Sequence, residues 1–162
     1  LIARMRKNPF ARMFRVDKLT ISALEATLVH FVNGEQERHV PLYQMLAEPL
    51  AELITRAQQF AEALAHLPQL NIKIADDVGY VGGGSLPDQA VPSKVVRVAL
   101  SDANKRNEFA EAVSRALRFT IPPVFCRVSE ETLVFDMRSI LPGDLQALID
   151  NVRRVLGEKL SA

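Results

Sequence analysis

Leu70-Asn71-Ile72-Lys73-Ile74 places an apolar side chain at every second position. That is the period of a β-strand with one face on a core and the other toward solvent. The run Lys94-Val95-Val96-Arg97-Val98-Ala99 is a second strand candidate, and the glycine-rich Gly82-Gly83-Gly84-Ser85-Leu86-Pro87 separates the two. Beyond it, Ser101 or Asp102 can cap a helix carrying Phe109, Ala112, Val113, Ala116 and Leu117. Two shorter strands follow, Val124 to Val128 and Thr132 to Met137, joined by a tight turn at Ser129-Glu130-Glu131. A last helix from about Pro142 carries Leu145, Leu148, Ile149, Val152 and Leu156. The order β, β, α, β, β, α predicts an α+β layer in which helices cover one face of a mainly antiparallel sheet.

Upstream of this layer the pattern is helical. Leu1, Ile2 and Met5 recur at helical spacing as far as Asn8-Pro9, where Asn can cap and Pro can open a new turn. Asp17 stands ahead of Leu19, Ile21, Leu24, Leu28 and Phe31, a stripe near the 3.6-residue period that Asn33-Gly34 stops. A polar turn containing Glu35 to Arg38 comes next, then a short helical piece from Pro41 with Leu42, Met45 and Leu46. Pro49 begins a longer helix with Leu50, Leu53, Ile54, Ala57, Phe60, Ala61 and Leu64 on one face, and Pro68 closes it. No internal repeat or low-complexity tract interrupts this order.

With 162 residues, 48% apolar and 24% charged, the chain can bury one sizeable core, or one domain with an attached arm. Its apolar runs, such as Val95 to Leu100 with Arg97 inside it, fall far short of the roughly 20 residues that cross a bilayer. A lone Cys126 forms no internal disulfide, and no secretory signal pattern opens the chain, so a cytoplasmic location is expected. The sequence starts at Leu1, without an initiator methionine and already in helical pattern, and is expected to be a fragment of something longer. Net charge is only +1, yet the first eighteen residues hold Arg4, Arg6, Lys7, Arg12, Arg15 and Lys18 against the single acid Asp17.

Arg12 and Arg15 stand three apart, which puts them on the same side of a helical turn but on opposite faces of a strand. They could clamp an oxyanion through paired guanidinium forks, or form a solvated basic face; pattern alone leaves both open. The glycine run lacks the Lys-Ser/Thr ending of a P-loop and the spacing of a dinucleotide fingerprint, so unusual backbone angles or close approach of another segment explain it better. His30, His39 and His66 share no metal-ligand spacing, and no metal site is expected. Cys126 in an apolar strand pattern reads as an inert thiol. Arg127 and Arg138 lie on the two strands of the expected hairpin; they could bind a carboxylate together, but an ion pair with Asp136 across the hairpin is the preferred reading.

The run Lys7-Asn8-Pro9-Phe10-Ala11-Arg12-Met13-Phe14-Arg15-Val16-Asp17-Lys18-Leu19-Thr20, continuing through Ala23-Leu24-Glu25-Ala26-Thr27-Leu28, closely resembles a signature of the bacterial selenocysteine synthases, the L-seryl-tRNA(Sec) selenium transferases. Gly83-Gly84-Ser85-Leu86-Pro87, Val91-Pro92-Ser93, Pro123-Val124-Phe125-Cys126-Arg127-Val128 and Leu133-Val134-Phe135-Asp136-Met137-Arg138 follow in the family's order. The first motif is specific; the glycine and hairpin motifs would be weak alone. The resemblance spans nearly the whole chain. Cys126 departs from it, standing where the hairpin motif usually has glycine.

The resemblance implies the C-terminal portion of a fold-type I, aspartate-aminotransferase-like enzyme. Residues 1–34 would be the end of the large domain and its connecting helix, and residues 35–162 the small α+β domain. It also implies pyridoxal phosphate, held on a lysine upstream of the segment matching Leu1; Lys18 is not that lysine. The ring serves as an electron sink for conversion of seryl-tRNA(Sec) to selenocysteyl-tRNA(Sec), with selenophosphate as donor. Arg12 and Arg15 match the family arginines expected to hold the donor's oxyanion, whereas Arg127 and Arg138 match family positions without an assigned catalytic role. A homo-oligomer in the cytoplasm is implied as well, and the cations Arg4, Arg6 and Lys7 are expected to help hold tRNA. Two alternatives stand beside this reading. Relatives act on sugar-acid phosphates as ammonia-lyases, against which the intact arginine motif argues, and a segment without the cofactor lysine could serve only in dimerisation or tRNA contact.

Overall fold

The computed structural model describes residues 1–81 and 86–161. Strands β1 (Leu70–Val81) and β2 (Leu86–Leu100) pair antiparallel, with Ile72 opposite Val98 and Ile74 opposite Val96. β3 (Arg127–Ser129) and β4 (Thr132–Asp136) form a hairpin, and β4 lies against β2, giving a four-stranded antiparallel sheet in the order β1-β2-β4-β3. The expected α+β class with an antiparallel sheet is the one observed. The glycine run at 82–85 lies outside the described residues.

The pleat sorts the sheet into two faces. Val96, Val98, Leu133 and Phe135 project into one apolar core with helices α5 (Leu50–Leu64), α6 (Arg106–Leu117) and α7 (Leu145–Leu160). Leu53, Ala57, Phe60 and Leu64 of α5 are fully buried, at the spacing that marked this helix in the sequence. Each Leu or Phe so buried stabilises the fold by roughly 1.5–3 kcal/mol. The Phe60 ring meets Phe135 at 5.0 Å between centroids. Val95 and Val134 are buried on the opposite face, where Arg97 stands across from Val134 and Asp136 across from Val95.

The hairpin differs from expectation in the extent of its strands. Its first strand begins at Arg127 rather than Val124, because the Val124 N–H donates to the Leu117 carbonyl at 2.9 Å and holds that segment to the end of α6. The turn is tighter as well. Glu130 and Glu131 both take positive φ, 51° and 59°, and Ser129 pairs with Thr132, the two-residue geometry that suits strand twist.

The chain divides into two units, Leu1–Gln44 and the remainder from Met45. The first comprises α1 (Ile2–Arg6), a 3₁₀ helix (Pro9–Phe14), α2 (Lys18–Val32), α3 (Gln36–His39) and the start of α4 (Pro41–Ala47). Asn8 Oδ1 accepts from the Phe10 N–H at 2.9 Å, so the anticipated cap forms, and Asp17 Oδ1 accepts from the Thr20 N–H at 2.7 Å, capping α2. Gly34, at φ +72°, ends α2. Its N–H donates to the Phe31 carbonyl and the Glu35 N–H to the His30 carbonyl, the paired bonds of a Schellman turn. The polar stretch Glu35 to Arg38 is therefore more than a turn: it enters the single helical turn of α3. α2 carries Leu19, Leu24 and Leu28 at 82%, 58% and 51% exposure, and none of its residues is buried.

Candidate functional site

Arg12 and Arg15 are placed by the 3₁₀ helix. Residues three apart eclipse one another in this geometry. Arg12 sits in the last turn, and Arg15 is the C-cap, its N–H directed at the Arg12 carbonyl at 3.4 Å. At φ −73° Arg15 keeps a helical φ, so its side chain leaves the backbone on the same side as that of Arg12, before ψ of 115° turns the chain into the Asp17 cap. Both residues are exposed, and among the described residues neither guanidinium meets a carboxylate.

Asp17, the one acid nearby in sequence, is committed elsewhere. The Thr20 backbone N–H, joined by the Thr20 hydroxyl and the Leu19 N–H, holds its carboxyl below the ordinary aspartate value. Its charge compensates the amino end of α2 and leaves the arginines to other partners. Two exposed guanidinium forks carried by one turn supply the kind of donors that a tetrahedral oxyanion takes.

The arginines of the hairpin act differently from the expectation. Arg127 does not pair with Asp136; its Nη2 lies 2.5 Å from Asp77 Oδ2 on β1. Asp136 instead accepts from Ser93 Oγ at 2.5 Å and from the Arg138 backbone N–H at 3.0 Å. Arg138 lies past the strand, in a 3₁₀ turn over Met137–Ser139, and its guanidinium donates to the carbonyls of Pro92, Met45 and Glu48. The reason is geometric. Side chains two apart on a strand share a face, but the chain leaves the sheet after Asp136, and Arg138 turns toward the Pro92 carbonyl and the part-buried carbonyls of Met45 and Glu48, which need a donor. Both arginines thus have partners within the second unit.

A third arginine, Arg56 on α5, belongs to no motif that the sequence displays. It is 6% exposed; Nη1 donates to the carbonyls of Met137 and Ile140 at 2.8 and 2.7 Å, and Nη2 lies 2.8 Å from Glu48 Oε1. Its position among Leu53, Ala57 and Phe60 on the buried face was the available signal.

Cys126 packs at the margin of the core, and burial pushes its thiol up, with the Ser114 hydrogen bond and the Arg118 charge offsetting only part. A thiol held protonated is a poor nucleophile. A cleft of about 600 Å³ in the second unit is lined by Leu100, Phe109, Lys105 and Lys159. It contains neither Arg127 nor Arg138.

Two of the histidines stand closer than their spacing suggests. His30 and His39, nine residues apart, stack with ring centroids 4.5 Å apart, and Glu35 joins them. His66 stands apart from the group.

What emerges is an α+β chain with two exposed arginines, Arg12 and Arg15, on one turn just ahead of α2. The family model for L-seryl-tRNA selenium transferase matches residues 1–141. The chain belongs to that family. It is 34% identical over 156 residues to the L-seryl-tRNA(Sec) selenium transferase of Aquifex aeolicus (strain VF5), covering 96% of this chain and 33% of that protein. The protein of the same name from Hyphomonas neptunium (strain ATCC 15444) is 32% identical over the same coverage. That from Clostridium botulinum (strain 657 / Type Ba4) is 29% identical over 157 residues, again with 96% of this chain and 33% of the relative covered. The chain therefore spans about a third of the length of the curated relatives it matches.

Proposed function

We propose that this chain is the C-terminal part of an enzyme that converts seryl-tRNA(Sec) to selenocysteyl-tRNA(Sec) with selenophosphate as donor, and that Arg12 and Arg15 hold the donor's phosphate-like group. The observation that carries the assignment is the pair of exposed guanidinium groups on one side of a single 3₁₀ turn, without a carboxylate partner among the described residues. Charge-assisted hydrogen bonds from both would bind the dianion and steady negative charge as the donor reacts.

In this reading residues 1–34 end the large domain of a fold-type I enzyme and residues 35–162 are its small domain. A division of the chain into two units supports a two-part organisation, although it falls after Gln44 rather than after residue 34. A homo-oligomer fits the same picture. A helix apolar on several sides is ordinarily buried, and α2, with Leu19, Leu24 and Leu28 outward, finds no such cover among the described residues. No helix among the described residues is long and apolar enough to cross a membrane; the proposed location is the cytoplasm.

Pyridoxal phosphate supplies an electron sink to enzymes of this chemistry when bound. The residues of this chain do not fit its attachment. Five of the six lysines are exposed, and the sixth, Lys94, is paired with Asp76. None has the desolvated surroundings that free a lysine for covalent chemistry. The attachment lysine therefore belongs to sequence outside these residues, and the chain alone would lack activity.

The test is Arg12→Ala and Arg15→Ala in the full-length enzyme. Each substitution should lower kcat/KM for selenophosphate by about 10- to 100-fold, the worth of a charge-assisted hydrogen bond of about 1.5–3 kcal/mol. Binding of seryl-tRNA should be retained. Unchanged donor kinetics in both correctly folded variants would remove the arginines from the site.

A further inference from the structure

We propose that His30, Glu35 and His39 form a binding site for a divalent transition-metal ion of the zinc class. The site is built by the turn that ends α2. Gly34 in the left-handed region reverses the chain, and the Glu35 N–H bonds back to the His30 carbonyl at 2.7 Å, which sets Glu35 beside His30. The one-turn helix α3 then brings His39 over Glu35, its N–H on the Glu35 carbonyl at 3.2 Å. Residues four apart on a helix share a face. Three donors nine residues apart at most are thus gathered by two successive turns of backbone.

Each of the three offers one donor atom, and these atoms all lie within 4.8 Å of one another. A tetrahedral ion with bonds of about 2.1 Å sets its donors about 3.4 Å apart. Closing that difference takes rotation of the exposed Glu35 and His39 side chains, His39 turning out of its stack on His30 so that both ring nitrogens face the ion.

Two further observations point to a cation. His30 Nδ1 is shielded from solvent with no hydrogen-bond partner among the described residues, and Glu35 Oε2, at 3.9 Å, is too far to accept from it. A ligand between them satisfies both. His30 also stands in the last turn of the fifteen-residue α2, where the carbonyl end of the helix favours positive charge. Two imidazoles and a carboxylate are the donor set of a borderline ion such as zinc, with a fourth position left for water or a further donor. Such an ion would clip α3 to the end of α2.

The experiment is titration of the chelator-stripped chain with Co²⁺, followed by its visible d–d absorption, and displacement by Zn²⁺ followed calorimetrically. One equivalent should bind, with an absorption of tetrahedral intensity and no thiolate charge-transfer band. Glu35→Gln and His39→Gln should each weaken binding at least about tenfold, with far-UV circular dichroism unchanged. His66→Gln and Cys126→Ser should leave it intact. Absence of stoichiometric binding would overturn the site, as would binding that survives Glu35→Gln and His39→Gln or that follows His66 or Cys126.

Discussion

Arg127 and Asp77 sit on opposite outer strands of the sheet, β3 and β1, and their side chains meet at 2.5 Å across the two strands between them. To make that contact the arginine crosses the face on which Val134 and Val95 are closed to solvent. Long arginine side chains cover apolar surface with their methylenes while the head group stays polar. The pair ties the two edges of the sheet.

A double-mutant cycle with Asp77→Asn and Arg127→Met should therefore return a modest coupling, about 0.2–1 kcal/mol, since the arginine is half exposed. Its acid dependence has a definite sign. Partial burial raises the Asp77 carboxyl, but the Val78 N–H and the Arg127 and Arg97 charges outweigh it and bring it below the ordinary aspartate value of 3.8. A depressed carboxylate stabilises the folded state fully above its unfolded value and ceases to do so as pH falls through the folded one. Urea denaturation should show the coupling steady from neutral pH toward 3.8 and fading below it.

Arg56 should be the most sensitive charged position in the second unit. Removing one partner of a buried ion pair leaves the other uncompensated, at a cost of about 3–5 kcal/mol. Arg56→Ala additionally orphans the Met137 and Ile140 carbonyls, whereas Arg138→Ala orphans more exposed ones. The expected order is a large drop in the urea midpoint for Arg56→Ala and about 1–3 kcal/mol for Arg138→Ala.

Cys126 should react slowly. Because burial holds the thiol above its ordinary value, disulfide exchange with a small aromatic disulfide reagent near neutral pH should run well below the rate of the same chain in denaturant. Equal rates before and after unfolding would contradict the packing described for it.

The cations of the first segment bear on tRNA. Arg4 and Arg6 lie in the last turn of α1 and Lys7 caps it, all exposed. Replacing the three with Gln in the full-length enzyme should weaken tRNA binding and lower the slope of log affinity against log salt by about 0.7–0.9 for each phosphate that is no longer neutralised. A salt slope equal to that of the parent enzyme would exclude the segment from the interface.

Much of this was legible in local pattern. The stop at Asn33-Gly34, the caps at Asn8 and Asp17 and the buried stripe of α5 depend on hydrogen bonds and spacings within a few residues, so short stretches of sequence report them. That Arg12 and Arg15 share one helical turn belongs to the same class, because a spacing of three residues decides it. Partner choice for Arg127 does not. Asp136 is nine residues away and Asp77 fifty, yet the sheet order brings the distant one within reach and leaves Asp136 to Ser93.

By itself, then, the sequence determined the succession of elements, the α+β class, the caps and the family, since periodicity, backbone preferences and ordered motifs all act locally along the chain. Only the tertiary structure decided which charges meet. It set Arg56 against Glu48 in the core, turned Arg138 onto backbone carbonyls, and stacked His30 on His39 beside Glu35. Those contacts follow from where sheet order and a left-handed glycine turn the chain in space, and a charged side chain takes whichever partner that path leaves within about 3 Å.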